Sequence, residues 1–245
     1  MHLSLTHLNH RPWQIPKGSW VWRQSLCDLL FIHWAISPKR LEQLIPKPLE
    51  VDLYEGSGWI GVVPLVMKGV MRRPFPNLPY FSEFPQLNVR TYVRYQGKPG
   101  VWFFSLDTTN ILAVWAARKY FHLPYFHSEI KIIKNDSLSY KNSRIGNNKR
   151  FEVRYKAITD IIDYPEESFE IWSTERYCLY SQNKQGDLFR AEVHHRKWPL
   201  QKVEFEITEN TMINDIHHEK MNSKVLFSKR IDMIIWPLEN IFTTS

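Results

Sequence analysis

The most constraining feature of this chain is a series of short apolar runs joined by tight turns. Residues 87–106 contain the turn Gln96-Gly97-Lys98-Pro99-Gly100, and residues 177–193 turn at positions 183–187. A further turn at residues 55–58 interrupts the apolar run 51–63. Strands linked by so few residues pair antiparallel. The pattern predicts a mainly β (α+β) fold, in which a curved antiparallel sheet closes into a barrel or cone.

Three short helices are predicted between these strands. Ser37 and Pro38 form an N-cap and first-turn pair that begins the first helix. Asp107 and Thr108 cap the second, which extends to about residue 121, and the third follows Pro165. The segment from residue 213 to 245 has no clear pattern, although its apolar stretch 231–242 suits packing on the core or on a partner.

The length and composition indicate one globular domain over residues 1–245. No repeat or linker divides the 245 residues, and the proline-rich patch 73–85 is interpreted as an ordered surface loop because apolar residues are mixed into it. Cys27 and Cys178 lack metal or redox spacing, which favours free thiols in a reducing compartment. We find no signal-peptide pattern and no apolar run long enough to cross a bilayer. A soluble cytoplasmic protein with no membrane partner is expected.

The chain is basic, with a net charge of +7, but this charge does not identify a partner. Residues 129–156 carry eight Lys or Arg against three Asp or Glu, and a solvated basic surface accounts for them. No zinc-finger, helix-turn-helix or RNA-binding signature accompanies this stretch, so nucleic-acid binding is not predicted. Glycine-rich phosphate loops, nucleophile elbows and zincin motifs are also absent from the sequence. No cofactor is therefore predicted. The adjacent pairs His194-His195 and His217-His218 would point apart, so no metal site is predicted either.

The strand at residues 87–95 carries the main candidates for a binding site. Its alternation places Leu87 and Val89 on one face, and Asn88, Arg90 and Tyr92 on the other. Two interpretations remain open: the polar face meets water, or it lines a ligand cavity in which Arg90 binds a carboxylate or phosphate. The partner run 101–106 is almost entirely apolar, which favours a strand covered on both faces and requires a buried partner for Arg90.

Further candidates lie near predicted helices and strand ends. Arg118 falls on one helical face with Ile111, Val114 and Trp115. His195 continues the apolar face of the strand that begins near residue 188, where a satisfied core histidine is the commoner case. The sequence Glu175-Arg176-Tyr177 lies at a helix-to-strand junction, where a structural ion pair is the alternative to a functional site.

Seven segments together resemble the YqjF-like family of uncharacterised bacterial proteins. The resemblance extends from about residue 10 to about residue 211, and the family has no established activity. The segments lie at residues 10–13 (HRPW), 28–34 (DLLFIHW), 88–93 (NVRTYV), 100–107 (GVWFFSLD), 123–126 (LPYF), 175–177 (ERY) and 195–200 (HRKWPL).

This family is similar in fold to acetoacetate decarboxylase, which implies a closed or cone-like β structure around an interior cavity. In the decarboxylase a lysine forms a Schiff base, and a neighbouring cationic group lowers its pKa. The lysine pair follows a proline shortly after an arginine-containing helix. Here Pro124 is followed by Tyr125 and Phe126, neither of which can form an imine. The resemblance therefore implies no Schiff-base chemistry, and Lys119 on the helix is expected to face solvent.

Two functional hypotheses follow. The first is an interior cavity that binds a small organic acid or similar polar ligand, with or without acid–base chemistry. The alternative is a non-catalytic structural or protein-interaction module whose buried polar residues are purely structural. Both hypotheses are compatible with an oligomeric protein. The predicted ligand contacts are Asn88, Arg90, Tyr92 and Arg118; the candidate catalytic residues are Tyr125, Glu175 and His195.

Overall fold

The computed structural model describes residues 3–76, 82–216 and 223–243. Part of the proline-rich patch (77–81) and the pair His217-His218 lie outside these ranges. After a 3₁₀ turn at Leu3–Thr6, the elements are β1 Trp22–Ile36, α1 Pro38–Glu42, β2 Glu50–Val51, β3 Gly58–Arg72, β4 Phe84–Tyr95, β5 Lys98–Thr108, α2 Ile111–Tyr120, β6 Tyr125–Lys134, β7 Leu138–Arg144, β8 Arg150–Ala157, α3 Phe169–Thr174, β9 Cys178–Gln182, β10 Leu188–His195, β11 Leu200–Gln201, β12 Val203–Asn210 and β13 Lys224–Phe242.

Seven strands close into a barrel, which confirms the predicted fold class. Their order is β5-β9-β10-β13-β1-β3-β4, and β4 pairs back to β5 to complete the ring. Most neighbours are antiparallel, but β5 pairs in parallel with β6 at one end and with β9 at the other. The sequence could not predict these parallel pairs, because turn patterns report only on strands adjacent in the chain.

A second sheet covers one side of the barrel. Strands β6, β7, β8 and β12 form an antiparallel meander. Its Tyr140 and Phe151 pack against Leu30, Ile32 and Val89 from the outer faces of the barrel strands. The barrel strands are thus buried on both faces, as their near-continuous apolar runs indicate.

Local backbone geometry adjusts which side chains face the barrel interior. Asp28 has φ +51°, and the β1–β3 register shifts across this region. The irregularity lets both Leu26 and Leu29 line the same interior, although simple alternation would separate them. At the β4–β5 hairpin, Gln96 and Gly97 have φ +50° and +75°, so the two-residue turn needs the left-handed region twice.

Several predicted elements differ in detail from the structure. The hairpins β4–β5 and β9–β10 are present, whereas residues 55–58 form only a tight turn closed by a Tyr54–Ser57 bridge. Asn110, rather than Asp107 or Thr108, caps α2 by accepting a hydrogen bond from Ala113 N at 3.0 Å. The C-terminal segment contributes β13, which pairs with β1 and β10 inside the barrel wall. Within the described ranges, no helix is long and apolar enough to cross a membrane.

A buried ion pair joins the barrel to the second sheet. Asp107 on β5 accepts from Arg144 Nε at 2.9 Å and Nη2 at 2.6 Å, and both side chains are almost fully buried. Ser128 and Asn142 also donate to Asp107 Oδ2. The paired charges and their hydrogen bonds make this contact a structural one.

We therefore expect Asp107→Asn to destabilise the protein by about 3–5 kcal/mol, because it leaves the Arg144 charge buried without a counterion. Urea unfolding measures the loss. The matched control is Glu83→Gln, which removes the carboxylate of the exposed Lys68–Glu83 pair and should cost less than about 1 kcal/mol. Equal losses in the two variants would contradict a structural role for the buried pair.

Candidate functional site

A pocket of about 190 Å³ lies inside the barrel, against the inner side of α2. Most of its wall is apolar, with contributions from β1, β3, β5, β10 and β13. Its polar side chains are fewer, and β4 contributes three of them. The polar side chains are Gln24, Gln86, Asn88, Arg90, Tyr125, Thr174, Arg176, Cys178 and His195.

Strand β4 supplies one continuous wall of this pocket. Alternate residues Phe84, Gln86, Asn88 and Arg90 all line it, while Leu87 and Val89 pack outward against the second sheet. Of the two interpretations open for the polar face of this strand, the structure has the face turned into the barrel rather than to water.

Arg90 is buried, and no carboxylate among the described residues pairs with it. Its Nη2 donates to Tyr92 Oη at 3.1 Å and to the Ser173 carbonyl at 3.4 Å, and its Nε has no hydrogen-bond partner. The guanidinium carbon lies 5.2 Å from the centre of the Phe31 ring. Neutral and aromatic groups therefore surround a permanent positive charge.

Arg90 differs in this respect from the other buried arginines. Arg11, Arg144 and Arg176 each pair with a carboxylate, from Glu192, Asp107 and Asp52 respectively. Within the described ranges, Arg90 is the buried arginine for which no ion pair is formed. A buried charge without a counterion is costly.

Arg176 brings a second guanidinium to the same pocket. Its Nη1 donates to Asp52 Oδ2 at 2.5 Å, whereas its Nε and Nη2 have no hydrogen-bond partner. Asp52 also accepts from Arg94 Nε at 3.0 Å, so its charge is shared. Burial lowers the pKa of Arg176, and the nearby Asp52 opposes that effect. The local balance of charge is positive.

Trp198 adds a neutral donor to this end of the pocket. Its indole Nε1 is buried without a hydrogen-bond partner, and its ring packs edge-on against Phe31 at 5.0 Å. Arg90 and Arg176 lie 5.4 and 4.9 Å from the Tyr92 ring centre. Among the described lining residues, the fully buried N–H groups left unpaired thus belong to Arg90, Arg176 and Trp198.

A second cluster of polar side chains lies along the β4 wall, and its members hydrogen-bond to one another. Tyr125 Oη donates to Gln86 Oε1 at 2.8 Å, and Gln86 Nε2 donates to Asn88 Oδ1 at 2.7 Å. Burial raises the pKa of Tyr125, while the bond to Gln86 opposes the shift. Tyr125 therefore stays protonated at neutral pH and acts as a hydrogen-bond donor.

Tyr92 lies beneath the pocket and does not line it. Its hydroxyl joins Arg90 to His33, whose Nε2 is 2.6 Å away. Burial lowers the pKa of His33, and the charge of Arg90 lowers it further. Gly61 makes room for this group, since a Cβ there would lie 3.1 Å from His33 Cδ2. Tyr92, one of the predicted ligand contacts, is thus not among the lining residues and bonds to Arg90 instead.

Arg118 lies outside the barrel, which corrects its predicted position beside Arg90. The side chain is exposed, and its Nε donates to the Tyr125 carbonyl at 2.6 Å. Helix α2 turns Ala113, Ala116 and Ala117 toward the pocket instead. Its larger residues Ile111 and Trp115 are 62% and 55% exposed. Lys119 is exposed as well, above the Trp115 ring.

The candidates Glu175 and His195 are held by neighbouring groups. Glu175 does not line the pocket; it accepts from Trp198 N at 3.0 Å and from the Tyr177 hydroxyl. His195 does line the pocket, but its Nδ1 and Nε2 lie 2.7 and 3.2 Å from the Arg196 and Arg176 carbonyls. Burial lowers the pKa of His195 despite the opposing charge of Glu175.

Three pocket residues were not among the sequence-based candidates. Gln86 shares the face of Asn88 and Arg90, so the same alternation could have included it. Arg176 was interpreted only as an ion-pair partner, and Trp198 lies in the HRKWPL segment that carried the family resemblance. No lysine lines the pocket within the described ranges, and no metal-ligating cluster of three or more residues is found there.

Comparison with known proteins assigns the chain to a family. The model of DUF2071, an uncharacterized conserved protein, matches residues 23–232. The chain belongs to this family. It is 38% identical over 229 residues to the uncharacterized protein YqjF of Bacillus subtilis (strain 168), covering 91% of this chain and 94% of that protein. The resemblance to the YqjF-like family is thereby confirmed.

Solved structures of low sequence identity share the fold of this DUF2071 protein. The enduracididine biosynthesis enzyme MppR complexed with pyruvate matches with a TM-score of 0.69 and 10% identity, over 92% of this chain and 91% of that one. An acetoacetate decarboxylase from Legionella pneumophila matches with a TM-score of 0.63 and 12% identity, over 97% and 93%. An acetoacetate decarboxylase-like enzyme from Sphingomonas wittichii matches with a TM-score of 0.64 and 10% identity, over 96% of this chain and 99% of that one. These likenesses confirm the predicted fold.

The buried histidines predict how stability depends on pH. Burial lowers the pKa of His194 to about 4 and lowers those of His33 and His195. The unfolded chain binds protons below its histidine pKa of about 6.5, whereas the folded protein resists protonation. Stability is therefore full above about pH 6.5 and falls as the pH drops toward 4.

We expect the free energy of unfolding, measured in urea, to be lower at pH 5 than at pH 7.5. Each buried histidine should contribute roughly 1–2 kcal/mol to this difference. The variant His194→Gln keeps a donor for the Ser4 carbonyl that His194 Nε2 contacts at 2.9 Å, and it should show a smaller difference between the two pH values. An unchanged difference would show that His194 is not kept neutral by the fold.

Proposed function

We propose that this DUF2071 protein binds a small organic acid inside its barrel, with Arg90 and Arg176 as the carboxylate-binding groups. The main supporting observation is that, among the described residues, buried Arg90 has no counterion, while Arg11, Arg144 and Arg176 all have one. An anion in the pocket would supply the missing charge and accept the unpaired N–H groups. The complex of MppR with pyruvate agrees with an acid as the ligand of a protein with this fold.

The proposal assigns separate roles to the predicted site residues. Arg90 binds the carboxylate, Asn88 contacts the ligand from the β4 wall, and Tyr92 holds Arg90 in place. Asn88 suits this role because its Nδ2 makes no hydrogen bond within the described part of the chain. The candidate catalytic residues offer less: Tyr125, Glu175 and His195 are all engaged by protein partners. Binding is therefore the function that the geometry supports best.

Binding should be visible as thermal stabilisation that depends on Arg90. A carboxylic acid at about 100 times its Kd adds ~2.7 kcal/mol to the free energy of unfolding. For a chain of this size that is roughly 5–10 °C in Tm. A screen of small carboxylic acids, each matched with its primary amide, measures the shift. Arg90→Met should weaken binding of the acids by about 10- to 100-fold, since hydrogen bonds to charged groups contribute about 1.5–3 kcal/mol.

The unliganded stability of the same variant separates binding from a structural role. Arg90→Met removes an unpaired buried charge and should leave the free energy of unfolding unchanged or higher. The matched control is Arg144→Met, which strands Asp107 and should cost about 3–5 kcal/mol. If Arg90→Met costs as much as Arg144→Met, the alternative of a purely structural polar network is correct.

Schiff-base chemistry is not part of the proposed function. The pocket wall has Tyr125 where the resemblance to acetoacetate decarboxylase would place a lysine, and no lysine is among the described lining residues. Sodium borohydride with a keto acid such as pyruvate or acetoacetate should therefore leave the protein mass unchanged. A mass increase located by peptide mapping at any lysine would overturn this expectation.

A further inference from the structure

The pocket has a cationic end and a long apolar body. Arg90, Arg176 and Trp198 form the cationic end, where the unpaired donors lie. Away from them, the wall is made of Leu65, Met67, Phe84, Met233 and other apolar side chains. The ligand that matches this division has one charged head and an apolar remainder.

The length of the pocket can be read along β4. Phe84 and Arg90 both line it and are six residues apart on one strand, a distance of about 20 Å. The volume is only about 190 Å³. An apolar cavity of about 150 Å³ holds a single benzene ring. Slightly more space distributed over such a length makes a narrow channel, which suits an extended chain better than a compact, branched molecule.

Among the described lining residues, none along the apolar body carries a permanent charge that would pair with a second charge on the ligand. Tyr125, Gln86 and Asn88 bond to one another along the wall. At the end distant from Arg90, Ala113 from α2 packs with Met67 and Phe84. A dicarboxylate would leave its second charge unpaired there, and a two- or three-carbon acid would leave most of the apolar wall without contacts.

We propose that the ligand is an unbranched medium-chain monocarboxylate of about six to ten carbons. Its carboxylate lies between Arg90 and Arg176, and its chain extends along β4 toward Ala113. This inference rests on the proposed function and adds the ligand class. The narrow apolar channel selects chain length, whereas the arginines select the charged head.

A series of unbranched acids tests the chain-length dependence. Isothermal titration calorimetry with acetate, butyrate, hexanoate and octanoate at constant ionic strength gives Kd for each. Burial of each methylene should tighten binding about three- to fourfold until the channel is full. Acetate and octanoate would then differ by more than 100-fold. Equal affinities across the series would overturn the inference and leave the proposed function intact.

The variant Ala113→Leu tests the position of the chain. It adds a side chain at the end of the channel distant from Arg90, and leucine suits a helix nearly as well as alanine. Octanoate should lose at least about tenfold in affinity, while butyrate keeps its Kd. The control is Leu112→Ala, on the exposed outer face of the same helix. This variant should leave the Kd of both octanoate and butyrate unchanged. A loss of octanoate binding in it would indicate that octanoate associates with the apolar surface of α2 instead.

The head group is tested by comparing octanoate with octanol. The wild-type protein should prefer octanoate by about 10- to 100-fold, and Arg90→Met should abolish the preference while octanol binding remains. Octanol bound as tightly as octanoate by the wild-type protein would mean an apolar channel without an anion site, which would refute the proposed function. Failure of all acids and of octanol to bind would refute both proposals.

Discussion

Closure of the barrel at β5 is the constraint on which the rest of the structure depends. This strand pairs with β4 along its length, with β9 near its start and with β6 near its end. It therefore completes the barrel and also begins the sheet that covers it. Strands covered on both faces must be apolar on both faces, and the few polar residues on them need partners. Asp107 on β5 finds its partners in that covering sheet, where Ser128, Asn142 and Arg144 donate to its carboxylate.

The same constraint gives the pocket its electrostatic character. Inside a closed barrel, a guanidinium is far from water, and its interactions are stronger than at the surface. The fold resolves this for Arg11, Arg144 and Arg176 by pairing each with a carboxylate. In the part of the chain that the structure describes, Arg90 has no such pairing, and its hydrogen bonds go to the Tyr92 hydroxyl and the Ser173 carbonyl. Arg90 is also one of the residues that line the pocket.

Sequence patterns predicted the orientation of the site better than its depth. Alternation along β4 placed Asn88 and Arg90 on one face, and both line the pocket. Tyr92 shares that face but lies beneath the pocket, because alternation defines the side of a strand and not the distance along the barrel axis. The predicted position of Arg118 beside Arg90 was wrong for another reason. Helix α2 packs against the barrel through its alanines, so its larger residues remain outside.

Residues distant in sequence could not be assembled without the three-dimensional fold. Arg176 reaches the pocket because β9 pairs with β5, a parallel contact that no turn pattern reports. Strand β13 was unreadable because Ser228, Lys229 and Arg230 interrupt its apolar residues, although it pairs with both β1 and β10.

The arrangement of supports around Arg90 argues that its unpaired state is a property of the fold. The Tyr92 hydroxyl and the Ser173 carbonyl accept hydrogen bonds from the guanidinium, and His33 in turn contacts that hydroxyl. Gly61 leaves room for His33, since a Cβ at position 61 would lie 3.1 Å from His33 Cδ2. Burial lowers the pKa of His33, and the charge of Arg90 lowers it further, so the histidine stays neutral and adds no charge of its own. The supports thus hold the arginine in place without neutralising it. Under the proposed function, an anion would therefore meet donors that are already oriented, and little side-chain entropy would be lost on binding.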